Sequence, residues 1–221
     1  MTHIANSTRV LLQNTITSWF GHALATTAKH SHIDATRNLI QLAKHVSENC
    51  HLPLSNQTFV PCHKQLTKLG NLHTNCNHSS CSLAMLVSLH DRWGYQAIHH
   101  GAKKGCNHIV NLLLEAGASA NACSPQSYVP LHLAAKGDHT QVCRTLLDAG
   151  ADIDRTTAAS YTALHMAAGA GCYNVSHLLL SRGANPYWKN DYGFQPWQEA
   201  ERNGHLELAE VLKNLKSFAK K

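Results

Sequence analysis

The chain is 221 residues long, 43% hydrophobic and 14% charged, with a formal net charge of +6. That length suits one long domain or two small ones. No apolar run approaches the ~20 residues of a membrane span, and Met1 to Thr17 lacks the basic start and long apolar core of a signal peptide, so neither a membrane anchor nor export is expected. Residues 1–90 hold six Lys/Arg against only Asp34 and Glu48, but without a dense Lys/Arg run this excess does not argue for nucleic acid.

The first element in chain order is a helix expected over Thr8 to Phe20, placed to cap the units downstream of it. Leu24-Ala25-Thr26-Thr27-Ala28-Lys29-His30-Ser31-His32 can be laid over Leu131 to His139, and Ala35, Leu39 and Ile40 then fall on Val142, Leu146 and Leu147. Residues 17–46 therefore read as a degenerate copy of a unit that is clearer later in the chain. His51 to Asn56 reads as a loop. A second degenerate copy is expected over 57–90. There Phe59-Val60-Pro61-Cys62-His63 parallels Tyr128-Val129-Pro130-Leu131-His132, and Leu83, Leu86 and Val87 face inward. An insertion, Gly70 to Ser80, interrupts it.

His73, Cys76, His78 and Cys81 fall within nine residues in and beside this insertion. Structural zinc sites instead use two close ligand pairs separated by a connecting stretch. The reading is a polar loop without metal; zinc is the alternative, and metal analysis of the purified protein decides between them. The eight cysteines, with no export signal and three of the later four inside helical patterns, are expected to be reduced thiols of a cytoplasmic or nuclear protein.

From residue 91 a fixed period of 33 takes over. Ile98, Leu131, Leu164 and Trp197 occupy one register position, and His99, His132 and His165 the next. Gly117-Ala118, Gly150-Ala151 and Gly183-Ala184 recur further along. Such a period marks a solenoid of stacked units, not a globule around one centre. Each unit is expected to hold two helices. The second helices carry Ile109, Leu112 and Leu113, then Val142, Leu146 and Leu147, then Val175, Leu178, Leu179 and Leu180, at the three- and four-residue spacings of one buried face. The last copy holds Leu208 and Leu212, with Glu207, Glu210 and Lys213 outward as on a terminal cap. The expectation is an all-α solenoid. An N-terminal region (1–90) would precede four repeats (91–214) and a short basic tail (215–221).

This pattern closely resembles the ankyrin repeat. The family's Asp-x-x-Gly-x-Thr-Pro-Leu-His-x-Ala-Ala, Gly-His turn and Gly-Ala-Asp are matched at Asp91, Gly94, Pro130, Leu131, His132, Ala134, Ala135, His139, Gly150, Ala151, Asp152, Thr162, Leu164, His165, Ala167, Ala168, Gly193, Pro196, Gly204 and His205. Ser127 and Ser160 stand where the family has a turn glycine, and Asp138 where a glycine has slipped to Gly137. The resemblance implies hairpin-like fingers projecting from the helix pairs, a concave groove lined by fingers and first helices, and histidine struts at 99, 132 and 165. It also implies a non-catalytic module that binds another protein. Asn121, with Leu113 eight residues before it, resembles the asparagine hydroxylation site of ankyrin proteins.

One aromatic per repeat comes directly after the finger turn: Tyr95, Tyr128, Tyr161 and Phe194. Arg92, Trp93 and Tyr192 stand beside them, with Gln126. The ends of the first helices add Lys103, Lys104, Lys136 and Arg202, with Asn203. Tyr, Trp and Arg dominate binding hot spots, so the groove reads as an aromatic ladder beside a basic strip. It suits a partner segment that is acidic and apolar. The competing reading is that the aromatics only pack against neighbouring fingers. No phosphate-cradling Gly loop, Ser/His/Asp context or paired carboxylates are present, so neither catalysis nor a cofactor is expected. A second function class is a substrate-recognition adaptor of a ubiquitin ligase, although Leu215 to Lys221 is too short for the ligase-binding box of known ankyrin adaptors. The module is expected to be monomeric.

Overall fold

A computed structural model describes residues 20–49 and 87–218, with side chains over 20–44 and 87–214. The helix expected before Phe20, the loop His51 to Asn56, the insertion Gly70 to Ser80 and the cluster His73, Cys76, His78 and Cys81 lie outside the described residues. So does most of the second degenerate copy.

Ten helices run through the described chain: α1 (20–29), α2 (Ile33–Asn49), α3 (Ala97–Lys104), α4 (Asn107–Glu115), α5 (Pro130–Lys136), α6 (Thr140–Asp148), α7 (Ala163–Gly169), α8 (Tyr173–Ser181), α9 (Pro196–Arg202) and α10 (Leu206–Phe218). The architecture is an all-α solenoid. The only strand-like pairing among the described residues is a single antiparallel bridge, His90 to Gln96. The helices form two layers. First helices α3, α5, α7 and α9 pack in succession, and second helices α2, α4, α6 and α8 do the same behind them. One continuous core runs from Phe20 to Leu212.

The repeat period explains each layer. Ile98, Leu131 and Leu164 are fully buried, each contributing roughly 1.5–3 kcal/mol of apolar burial. Ala134, Ala135, Ala167 and Ala168 are fully buried as well, and their small side chains let successive first helices approach closely. Trp197, at the last Leu position, is only partly buried. Its indole N–H donates to Gln195 Oε1 at 2.9 Å, and Lys213 covers its ring.

The second helices differ in detail from the sequence expectation. Their buried sets are Ile109, Val110 and Leu113, then Val142, Cys143 and Leu146, then Val175, Ser176, Leu178 and Leu179. Leu112, Leu147 and Leu180, expected inward, are only half-buried. The position after the first apolar residue, at 110, 143 and 176, takes their place because the face packs against two neighbours and is wider than one stripe. Cys143 is a core residue, and burial pushes its thiol up to about 12. Ser176 is fully buried, and its hydroxyl has no hydrogen-bond partner among the described residues. A desolvated, unpaired hydroxyl is destabilising. Ser176→Ala is therefore expected to raise unfolding stability by about 1 kcal/mol, read as a higher denaturant midpoint with unchanged slope.

Each helix pair turns through a residue with positive φ: Ser31 (62°), Gly105 (72°), Asp138 (56°), Gly171 (72°) and Gly204 (84°). The residue that opens the second helix of the next unit packs over this turn. His139 sits over Gly105, where a Cβ would lie 2.4 Å from Nδ1, and His205 sits over Gly171, at 2.5 Å. Where the packing residue is the smaller Cys106 or Cys172, the turn carries a side chain, Ser31 or Asp138. Ser31 Oγ lies 2.8 Å from Cys106 Sγ, and the Asp138 carboxylate adds to burial in raising the Cys172 thiol. Asp138 thus stands in a glycine's place because its neighbour is a cysteine.

Candidate functional site

Four hairpin fingers are built in one way. The residue at 91, 124, 157 or 190 donates its N–H to the carbonyl four positions on: Tyr95, Tyr128, Tyr161 or Phe194 (2.8–3.0 Å). Its side-chain oxygen accepts that residue's N–H in return, at Asp91 Oδ1, Ser124 Oγ, Thr157 Oγ1 and Asn190 Oδ1. Short polar side chains are suited to such local closure. The turn needs positive φ, supplied by Gly94 and Gly193 and, less comfortably, by Ser127 and Ser160 at 60° and 61°. Neighbouring fingers are joined by Ala158 N–H to Gln126 O and Asp191 N–H to Ala159 O.

Histidines fix the fingers to the helices. His99, His132 and His165 accept the N–H of Gln96, Val129 and Thr162 on Nδ1. Each donates from Nε2 across to the next unit: His99 to Ala122 O and Tyr128 O, His132 to Arg155 O, His165 to Phe194 O. This pattern requires a neutral ring with the proton on Nε2. Burial holds all three below the usual range, His99 and His132 down to about 4. Gln198 replaces the histidine in the last unit and makes only the local bond, from Gln195 N–H, since no further finger packs beyond it among the described residues.

The expected binding residues fall into two groups on this scaffold. Tyr95, Tyr128 and Tyr161 are half-buried, with ring edges against His99, His132 and His165 at centroid distances of 5.5, 6.1 and 5.7 Å. The Tyr161 hydroxyl donates to Glu199 at 3.3 Å, its ring meets Tyr192, and Arg202 covers Phe194. These rings brace the scaffold and keep one edge open. Arg92, Trp93, Lys103, Lys104, Lys136, Tyr192 and Arg202 are all exposed, with Arg202 engaged by Phe194 and Glu199 and Tyr192 by the Tyr161 ring. Tyr192 is 69% exposed and Trp93 48%. Glu199 is buried, held by Asn190 Nδ2 at 2.8 Å and approached by Arg202 at 3.5 Å.

Sequence reasoning passed over the register 100, 133, 166 and 199. His100 bonds Asp91 Oδ2 at 2.9 Å, and Glu199 meets Tyr161. Half-buried Leu133 and Met166 share that register, placing an apolar strip between the aromatics and the basic helix ends. The period itself carried this signal. Asn121 is exposed, and both ends of its amide are engaged: Nδ2 donates to Gly150 O at 3.0 Å and Oδ1 accepts Asp152 N–H at 2.8 Å. Asp154, one period later, accepts Asn185 N–H in the same way. Both side chains tie successive loops together.

Among the described residues the surface depressions include two of note. One, of about 510 Å³, is lined by both charge signs, with Asp152, Asp154, Arg155 and Lys189 beside Trp188. The other, of about 210 Å³, lies between α1 and the first finger. Among the described residues no group of three or more His, Cys, Asp or Glu is arranged to hold a metal ion. No described helix is long and apolar enough to cross a membrane.

Residues 62–157 and 131–220 match the family model described as ankyrin repeats (3 copies). Comparison with curated proteins returns no match.

Proposed function

Because this chain belongs to the ankyrin-repeat family, whose repeats generally mediate protein–protein interaction, we propose that it is a non-catalytic module holding a partner protein on its finger-and-first-helix face. The observation that carries this reading is the division of labour among its side chains. The ring edges of Tyr95, Tyr128 and Tyr161 are fixed by buried histidines, while Trp93, Tyr192, Lys103, Lys104, Lys136 and Arg202 stay exposed, Trp93 and Tyr192 sharing one register position and Lys103, Lys136 and Arg202 another. Pre-fixed aromatics lose little freedom on binding, and the exposed cations with the Leu133 and Met166 strip suit an acidic and apolar partner segment.

A photo-crosslinking amino acid placed at Tyr192 or Lys136, and separately at Tyr173 or Glu207 on the second helices, tests the assignment. Partner capture is expected at the first pair and not at the second. Capture only from Tyr173 or Glu207 would move the binding surface to the other layer. Ligase scaffold subunits among the captured proteins would favour the adaptor reading over a simple interaction module. Combined Tyr192→Ala and Lys136→Glu is expected to weaken a captured partner by roughly tenfold or more, with helical content unchanged because both side chains are exposed.

A further inference from the structure

The cleft of about 210 Å³ between α1 and the first finger is walled by His22, Lys29 and His30 on one side and by Arg92, Trp93 and His100 on the other. Its lining holds two cations, Lys29 and Arg92, against one acid, Asp91. Arg92 Cζ lies 4.0 Å and Lys29 Nζ 5.6 Å from the centre of the Trp93 ring, and neither cation has a carboxylate partner among the described residues. The only acid in the lining, Asp91, is already committed. Its Oδ1 accepts the N–H groups of Trp93 and Tyr95, both at 2.9 Å, and its Oδ2 takes His100 at 2.9 Å. Those hydrogen bonds hold the carboxyl below its ordinary range against the opposing effect of burial. Asp91 thus spends its oxygens on the finger and on His100 and forms no ion pair with Lys29 or Arg92, so two cations against one acid flank an aromatic face that is half exposed.

We infer that this cleft anchors an acidic residue of the partner protein, its carboxylate bridging Lys29 and Arg92 while an adjoining apolar side chain covers Trp93. The inference rests on the protein-binding reading and deepens it by naming the anchor and bringing α1 into the site. Charge complementarity selects the occupant. Arg presents a planar fork matched to a carboxylate, and a cation already poised over indole leaves part of that ring for apolar contact. The repeat period alone points to no role for Lys29, yet the fold makes it one wall of the cleft.

The test uses the full chain and a short fluorescent peptide of Glu-Glu-Leu repeats, with a Gln-Gln-Leu peptide as control, monitored by anisotropy at low salt. The Glu peptide is expected to bind and the Gln peptide at least tenfold more weakly. Lys29→Glu and Arg92→Glu should each weaken the Glu peptide by roughly tenfold, with circular dichroism unchanged because both side chains are exposed. Arg144→Glu, an exposed cation on α6 in the other layer, should change it by less than about threefold. Equal binding of the two peptides, or no effect of Lys29→Glu, overturns the inference. So does displacement of the Glu peptide by inorganic phosphate or by a single-stranded oligonucleotide at lower concentration than by unlabelled Glu peptide, which would reassign the cleft to phosphate. If crosslinking at Tyr192 and Lys136 still captures a partner while Lys29→Glu binds it normally, only the anchor fails and the module reading stands.

Discussion

Lowering the pH from about 7.5 to about 4 is expected to remove much of this protein's stability through two buried histidines. The folded chain keeps His99 and His132 neutral down to about 4, from an ordinary value of 6.5, chiefly because burial disfavours the cation. Protonation of Nδ1 would also set a proton against the N–H of Gln96 or Val129. Between those two values the unfolded chain takes up a proton that the folded chain refuses. Stability is therefore full above about pH 6.5 and falls as the pH drops, levelling near pH 4 where the folded rings protonate too. The slope approaches about 1.4 kcal/mol per pH unit for each ring. The two rings together then lose on the order of 5 kcal/mol, a large part of a typical 5–15 kcal/mol total. His165 shifts in the same direction and adds to the effect. Asp91, held low, acts in a separate and more acidic window.

Denaturant titrations across that range measure this loss. His132→Gln should flatten the slope by roughly a third to a half, since Gln198 shows that a glutamine can accept the same local N–H without titrating. A midpoint that stays constant from pH 7.5 to pH 4 would mean the imidazoles are not neutral struts.

The second large effect concerns the helix-pair turns. Gly105→Ala is expected to cost about 2–4 kcal/mol, because the new Cβ would lie 2.4 Å from His139 Nδ1 and the residue has φ of 72°. Left-handed backbone accounts for about 1–2 kcal/mol of that; the remainder is collision with the imidazole. Changing His139 to Cys in the same chain should recover the collision, since Asp138 beneath Cys172 and Ser31 beneath Cys106 already tolerate side chains at the equivalent turn. His139→Cys alone is expected to destabilise, through loss of the Nε2 bond to Lys103 O at 3.1 Å. The double-mutant cycle should therefore show a favourable coupling of about 1–2 kcal/mol. Additive losses in the Gly105→Ala, His139→Cys pair would show that turn and packing residue are chosen independently.

That pairing also separates what is readable in the sequence from what is not. Asp138 looks like a slipped glycine when compared only with its own register, because its reason lies 34 residues later at Cys172. The aromatics at 95, 128 and 161 are visible as a ladder. Their half-buried packing on His99, His132 and His165 is not, because ring exposure depends on contacts that periodicity does not specify. The inward set on the second helices is mostly legible. Leu112, Leu147 and Leu180 are overcounted and Val110, Cys143 and Ser176 missed, since a face shared with two neighbours is broader than a single helical stripe.

The all-α solenoid from residue 91 onward, the buried Ile98, Leu131 and Leu164, and the histidine struts are all written in the amino-acid order. Each of these is a local rule stated once per 33 residues, so repetition makes it readable. Tertiary packing brought Lys29 and His22 of α1 against Arg92 and Trp93 of the first finger. The period lapses before residue 91, and no local rule then records which distant side chains meet. Stacking one helix pair on the next made that contact, and with it the cleft.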